Sequence, residues 1–208
     1  GGPGQAQLFS VLPGAASPAA AQFALKNPPL DKAPSPQELT HYLIRQLPES
    51  DLPAALDKIR AAYRDKSSAA VADVVLAIKR ALGERGKPLP AAEKAWAIQT
   101  AEKLLQDEST QKRGVELAKD LSLKEVFDQV QPFVLGEEPG PMERSQNVQQ
   151  RELQSLALEA CVTMDAERSI PMVEQLLTGN QRPMPLRQKA AEMLGRINTE
   201  ATRELLLE

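Results

Sequence analysis

Apolar residues recur along most of the chain at intervals of three and four, the spacing that places them on one face of an α-helix. The predicted helices span about 36–47, 51–63, 71–82, 90–106, 110–121, 122–134, 149–164, 169–178, 185–197 and 199–207. No stretch keeps the strict alternation of apolar and polar residues that a half-buried strand shows. The pattern therefore predicts an all-α fold.

Local signals mark where these helices begin. Ser35-Pro-Gln-Glu38 and Ser122-Leu-Lys-Glu125 have the spacing of a capping box, and Pro36 occupies the first helical position. Ser109 or Thr110 is placed to cap the helix that follows. We expect a helix to begin after each of these residues.

Glycine and proline mark the breaks between helices. Gly83 and Gly86 are expected to end the helix at 71–82. Pro132 lies late in the helix at 122–134 and is expected to kink it or to end it early. Residues 136–141, Gly-Glu-Glu-Pro-Gly-Pro, predict an exposed loop that continues to about Val148.

The chain divides by composition into an arm and a helical domain. Residues 1–35 are rich in proline, glycine and alanine and predict an arm or linker with one short helix at 17–25. Two interpretations of the arm stay open, docking on a neighbouring surface and disorder. Residues 36–208 form the helical domain, with irregular hairpins over 36–107 and a more regular repeat over 109–208.

Three helices of the second half share one order of apolar positions. The matching sets are Gly114, Ala157 and Ala190; Val115, Leu158 and Ala191; Leu117, Ala160 and Met193; Ala118, Cys161 and Leu194; Leu121, Met164 and Ile197. The first helix precedes the second by 43 positions, from Gly114 to Ala157, and the second precedes the third by 33, from Ala157 to Ala190. The longer of these two intervals includes the predicted loop that begins at Gly136, and an insertion in an exposed loop disturbs the packing of the helices least.

Residues 186–197, Leu-Arg-Gln-Lys-Ala-Ala-Glu-Met-Leu-Gly-Arg-Ile, resemble the HEAT-repeat pattern, in which an apolar-Arg pair precedes Ala-Ala and Leu-Gly-x-Ile. Residues 169–177 resemble the second helix of such a repeat. The resemblance is most specific over 165–207, fair over 112–134 and weak over 37–106. It implies a right-handed HEAT- or armadillo-like solenoid of about five helical hairpins, a fold that mostly scaffolds other macromolecules.

A second, fainter resemblance concerns the N-terminal half. Residues 23–28, 39–43 and 52–56 are similar to the helical region of large exported bacterial dehydrogenase-like proteins, which combine a sugar-dehydrogenase propeller, HEAT repeats and a c-type haem domain. The Cys-x-x-Cys-His haem motif is absent from this sequence. The resemblance implies a helical spacer domain and an exported or periplasmic location; without it, a cytoplasmic location is the alternative.

Composition narrows the choice of partners. Apolar residues make up 42% of the chain and aromatic residues only 3%, so the core must be built mainly of Leu, Ala, Val and Ile. A formal net charge of -3 gives no global attraction to nucleic acid or to an anionic membrane. No apolar run approaches the roughly 20 residues that cross a bilayer.

Few residues are candidates for a catalytic or metal-binding role. Cys161 and His41 are the only cysteine and the only histidine. Cys161 is predicted to be an inert buried thiol, His41 a surface or half-buried side chain, and Trp96 a core residue. We identify no catalytic, cofactor-binding or metal-binding residue, so the chain is predicted not to be an enzyme and to need no cofactor; an enzymatic parent polypeptide stays open as the alternative.

Basic residues suggest an alternative function. One set follows the third predicted helix and a second lines the last repeats: Lys79, Arg80, Arg85 and Lys87; Arg182, Arg187, Lys189 and Arg196. Some HEAT-like proteins bind DNA along a basic groove or excise damaged bases. Glu84, Glu93, Glu192 and Glu200 are interspersed, which favours a solvated face with local ion pairs.

The favoured function is a non-catalytic helical-repeat scaffold for protein–protein or interdomain contacts. Its predicted contact residues lie on a concave face lined by the second helices of the hairpins: Glu125, Gln129, Glu174, Gln175 and Arg203. The partner is expected to be a protein or a neighbouring domain of the same polypeptide. Residues 205–207 are three leucines, which favour a segment of a larger polypeptide, unless they pack back on the preceding helix.

Overall fold

The computed structural model describes residues 17–26, 35–136, 144–178 and 184–197, apart from the side chains of 144–147. Within these ranges the chain forms ten α-helices and no strand, which confirms the all-α prediction for the described residues. The helices are α1 Pro18–Lys26, α2 Pro36–Gln46, α3 Leu52–Tyr63, α4 Ser68–Glu84, α5 Ala91–Gln106, α6 Gln111–Leu121, α7 Phe127–Leu135, α8 Arg144–Met164, α9 Ala166–Thr178 and α10 Met184–Ile197.

The chain divides into two compact units, residues 1–100 and 101–208, and the division falls within α5. In the first unit α2 packs along α4 and also contacts α1 and α3. In the second unit α8 is central and contacts α6, α7, α9 and α10, while α9 also packs on α10.

Most helix boundaries lie within a few residues of their predicted positions, but α8 differs. It begins at Arg144, where an exposed loop was predicted as far as Val148. Its first turns are polar, so they carry no apolar period, yet Arg and Gln are good helix formers. The predicted helix at 199–207 and the arm at 1–16 and 27–34 lie outside the described residues.

Two predicted capping arrangements differ from the structure. Ser35 precedes α2, but its side chain makes no capping hydrogen bond. Ser122 adopts φ 49°, ψ 50° and ends α6, with Leu123 N–H donating to Ala118 O at 2.9 Å. The prediction that Ser122 starts a helix is therefore wrong, because its left-handed backbone closes the previous helix.

The start of α6 and the end of α7 also differ from the predicted capping and from the predicted effect of Pro132. Thr110 precedes α6 without a side-chain cap, and its hydroxyl donates to Leu104 O at 2.8 Å instead. The turn Lys124–Val126 leads into α7. That helix continues through Pro132 to Leu135.

Burial follows the aligned apolar register of the second unit. The buried members are Gly114, Val115, Leu117 and Ala118; Ala157, Leu158, Ala160, Cys161 and Met164; Ala190, Met193 and Leu194. Leu121, Ala191 and Ile197 are half-buried. The side chains that the alignment equates thus face the interior in α6, α8 and α10.

Candidate functional site

Ion pairs join α6 to α8 at a constant sequence separation. Lys112 Nζ lies 2.9 Å from Glu152 Oε2, and Lys119 Nζ lies 3.7 Å from Glu159 Oε2. Both partners advance by seven residues from the first pair to the second. The two helices therefore run side by side in the same direction.

A second set of contacts joins the start of α7 to the start of α9. Lys124 Nζ lies 3.4 Å from Asp165 Oδ2, and Asp128 forms an ion pair with Arg168. The guanidinium of Arg168 also lies over the ring of Phe127, 4.4 Å from its centroid. The starts of these two helices are thus aligned in the same sense as α6 and α8.

Two arginines on α10 connect this helix to α8 and α9. Arg196 Nη1 lies 3.6 Å from Glu159 Oε1, so Glu159 faces cations on both α6 and α10. Arg187, the arginine of the apolar-Arg pair, donates to Leu177 O at 3.2 Å near the end of α9. A donor there satisfies a carbonyl that has no partner within its own helix.

Asp165 links the ion pairs to the start of α9. Its Oδ1 accepts a hydrogen bond from Arg168 N–H at 3.2 Å. This bond, with help from Lys124, holds the pKa of Asp165 below its ordinary value. The hydrogen bond from the Arg168 side chain likewise lowers the pKa of Asp128.

We expect stability to fall on acidification because of these two carboxylates. Since their folded pKa values lie below the ordinary value of 3.8, their contribution is complete above that pH and is lost as the pH falls through the folded pKa values. Urea unfolding at a series of pH values should show this loss below pH 3.8. Asp128→Asn should reduce the acid-dependent part, and an unchanged profile in that variant would contradict the assignment.

The structure describes four of the five predicted contact residues. Glu125, Gln129 and Gln175 are exposed and Glu174 is half-buried, while Arg203 lies outside the described residues. Gln129 Nε2 donates to Glu102 Oε1 at 3.5 Å. Glu125 and Gln129 lie at the start of α7, whereas Glu174 and Gln175 lie in the last turns of α9, so the four residues do not form one cluster.

A polar cluster that the sequence did not predict lies between α2 and α4. The Glu84 carboxylate accepts a hydrogen bond from His41 Nε2 at 3.0 Å and faces Arg45 Nε at 3.4 Å and Arg80 Nε at 3.5 Å. The bond from His41 is the main cause of the lowered pKa of Glu84. His41 is half-buried, as predicted.

This cluster stands at one end of a groove with a volume of about 410 Å³. Its lining residues come from α2 and α4: Gln37, Glu38, His41, Tyr42, Arg45, Gln46, Asp73, Leu76, Ala77 and Arg80. At the other end Gln37 Nε2 donates to Asp73 Oδ2 at 3.3 Å. The residues come together only because α2 packs along α4, which no local sequence signal shows.

Two residues of the first predicted basic set, Arg85 and Lys87, have partners within the protein. Arg85 Nη1 donates to Ile44 O at 2.8 Å and to Leu47 O at 2.6 Å, where α2 ends. Lys87 Nζ lies 2.9 Å from Glu49 Oε1. Arg85 therefore closes a helix end, and Lys87 has an acidic partner.

The described part of the second basic set is engaged in the same way. Lys189 lies 3.3 Å from Glu192 and Arg196 lies 2.7 Å from Glu192. Arg182 and Glu200 lie outside the described residues.

Two predictions for α5 are corrected. Glu93, expected on a solvated face, has a side chain only 2% exposed and pairs with Arg60. Trp96, expected in the core, is half-buried, and the buried positions around it are Glu93, Ala97 and Thr100. Glu93 can be buried because Arg60 supplies a cationic partner, and the buried face formed by Glu93, Ala97 and Thr100 leaves Trp96 beside it.

Cys161 is buried in α8, as predicted. Burial raises the pKa of its thiol to about 12, so almost no thiolate forms near neutral pH. We expect a maleimide or an aromatic disulfide reagent to leave native Cys161 unlabelled and to modify it fully in denaturant. Rapid labelling of the native protein would contradict this burial.

Among the described residues, no group of three His, Cys, Asp or Glu side chains is placed to hold a metal ion. No helix in the same ranges is long and apolar enough to span a membrane. The chain matches no family model, no curated protein and no solved structure.

Proposed function

We propose that the chain is a non-catalytic helical-repeat scaffold, a HEAT- or armadillo-like solenoid of about five hairpins that holds a protein or a neighbouring domain of its own polypeptide. The observation that carries the proposal is the parallel alignment of successive helical pairs. Lys112–Glu152 and Lys119–Glu159 align α6 with α8, and Lys124–Asp165 and Asp128–Arg168 bring the starts of α7 and α9 together. Equivalent helices that lie side by side are what a stacked repeat requires.

The surface of the second helices supports a contact role. Gln129 on α7 and Gln175 on α9 are exposed polar side chains, and Pro132 and Pro171 are exposed on the same helices. The buried residues of the two helices are different ones, so a change at Gln129 or Gln175 leaves them packed: Phe127, Val130 and Val134 on α7; Ser169, Met172, Val173 and Leu176 on α9. Contact residues in a scaffold need this separation between surface and core.

The nucleic-acid alternative gains no comparable support. The described basic residues of the second set have acidic or carbonyl partners in the protein, as do Arg85 and Lys87 of the first. A cation that is already paired releases fewer counterions from a phosphate backbone than a free one.

Photocrosslinking tests the proposed face directly. A photoreactive amino acid at Gln129 or Gln175 should trap one defined protein or domain in the cells that produce the chain. The matched control is Gln99, an exposed glutamine on α5. Equal crosslinking at the control, or none at either test position, would argue against a contact surface on α7 and α9.

A further inference from the structure

The groove between α2 and α4 has oppositely charged ends. Arg45 and Arg80 stand at one end, where the Nε atoms of the two guanidinium groups lie 3.4 and 3.5 Å from the Glu84 carboxylate. Glu38 and Asp73 line the other end. Asp73 and Arg80 are seven residues apart on α4, so the ends are separated by roughly 10 Å at about 1.5 Å per residue.

The floor between these ends is apolar. Leu76 is half-buried, and Ala77 and Tyr42 are buried beneath the opening. Tyr42 is fixed there by the hydrogen bond that its hydroxyl donates to Ser17 O at 3.2 Å. An apolar floor between polar ends suits a ligand with both kinds of side chain, and a simple ion would use only one end.

The arginines retain binding capacity at the cationic end. The side chains of Arg45 and Arg80 are 57% and 77% exposed. Their Nη atoms make no hydrogen bond within the described residues. A guanidinium offers five donors, so each arginine can pair with Glu84 and still donate hydrogen bonds to a carboxylate of a partner.

We propose that this groove binds an amphipathic helical segment of another protein, which carries one acidic and one basic residue two turns apart on the same face. Its carboxylate pairs with Arg45 and Arg80, its basic group lies near Glu38 and Asp73, and its apolar residues cover Leu76. The spacing of two helical turns equals the distance between the ends of the groove. The inference rests on the proposed scaffold function and specifies a second contact surface and the partner that it takes.

Synthetic helical peptides and the full chain provide the test. Two peptides carry glutamate and lysine seven positions apart, in either order, with leucine between them on the same face; a third has glutamine in place of the glutamate. We expect one of the first two to bind saturably by isothermal titration, and Arg45→Gln/Arg80→Gln to weaken it by about tenfold. The third peptide should bind weakly and be insensitive to that double variant.

A second variant moves affinity in the opposite direction. Glu84→Gln removes the competing carboxylate but keeps both arginines, so it should tighten binding of the acidic peptide several-fold. The matched control is Arg64→Gln, an exposed arginine after α3 and outside the groove. Circular dichroism would check that every variant remains helical.

Several results would overturn the inference: no saturable binding of either peptide at millimolar concentration, equal binding to Arg45→Gln/Arg80→Gln, or weaker binding to Glu84→Gln. The photocrosslinks at Gln129 and Gln175 distinguish this failure from that of the scaffold. If the crosslinks form while the peptides do not bind, only the groove assignment is lost. If neither occurs, both are lost.

Discussion

Replacing Arg60 with alanine is expected to lower the free energy of unfolding by about 3 to 5 kcal/mol. Arg60 on α3 pairs with Glu93 at the start of α5, and the Glu93 side chain is only 2% exposed. Without Arg60 that carboxylate stays inside the protein with its main cationic partner gone. A buried charge in that position costs more than the packing lost with the arginine stem.

Urea unfolding followed by the fluorescence of Trp96 measures this loss, because Trp96 is the only tryptophan and lies one turn from Glu93. Arg64→Ala is the control and should change stability by less than about 0.5 kcal/mol, since Arg64 is exposed. Arg60→Ala/Glu93→Leu should be more stable than Arg60→Ala alone. If the double variant is the less stable of the two, the buried carboxylate is not the source of the loss.

Replacing Gly114 with valine is expected to cost about 3 kcal/mol. A Cβ atom at Gly114 would stand 3.0 Å from both Cγ and Cδ2 of Leu105 and 3.1 Å from Cβ of Leu104. Both leucines are almost fully buried, so they have little room to move. The close approach of α5 to α6 therefore depends on the missing side chain at this position.

Labelling of Cys161 under increasing urea reports this change, because Gly114 and Cys161 belong to the same compact unit. The matched control is Gly195→Ala on α10, where a Cβ atom meets nothing within 4 Å. That variant should be more stable than the parent protein by about 0.5 to 1 kcal/mol, since alanine is the better helix former. A small effect of Gly114→Val would show that α5 and α6 adjust freely.

The sequence predicts the helices well and the polar contacts between them poorly. Apolar periodicity identifies Leu117, Ala160 and Met193 as equivalent inward positions, and all three are buried. It succeeds because burial of one face is the strongest constraint on a helix in a packed domain. It fails at Arg144–Val148, where the helix has no apolar face to reveal it.

The sequence does not predict polar contacts whose partners lie far apart along the chain. Glu93 pairs with Arg60, 33 positions earlier, and Glu84 pairs with His41, 43 positions earlier. Ser122 has the spacing of a cap but takes a left-handed backbone. Such outcomes depend on which helices meet, which local spacing does not encode.

In the proposed scaffold, successive hairpins stack with equivalent helices parallel. Paired cysteines test this arrangement within the second unit, where native Cys161 is buried. A short bismaleimide should join Lys112→Cys to Glu152→Cys and Asp128→Cys to Arg168→Cys, the positions of two observed ion pairs. It should not join Lys112→Cys to Glu159→Cys or Asp128→Cys to Gln175→Cys, because each second site lies roughly 10 Å farther along its helix. Efficient crosslinking of the two distant pairs, with none of the two near ones, would show antiparallel or unregistered helices and contradict the account.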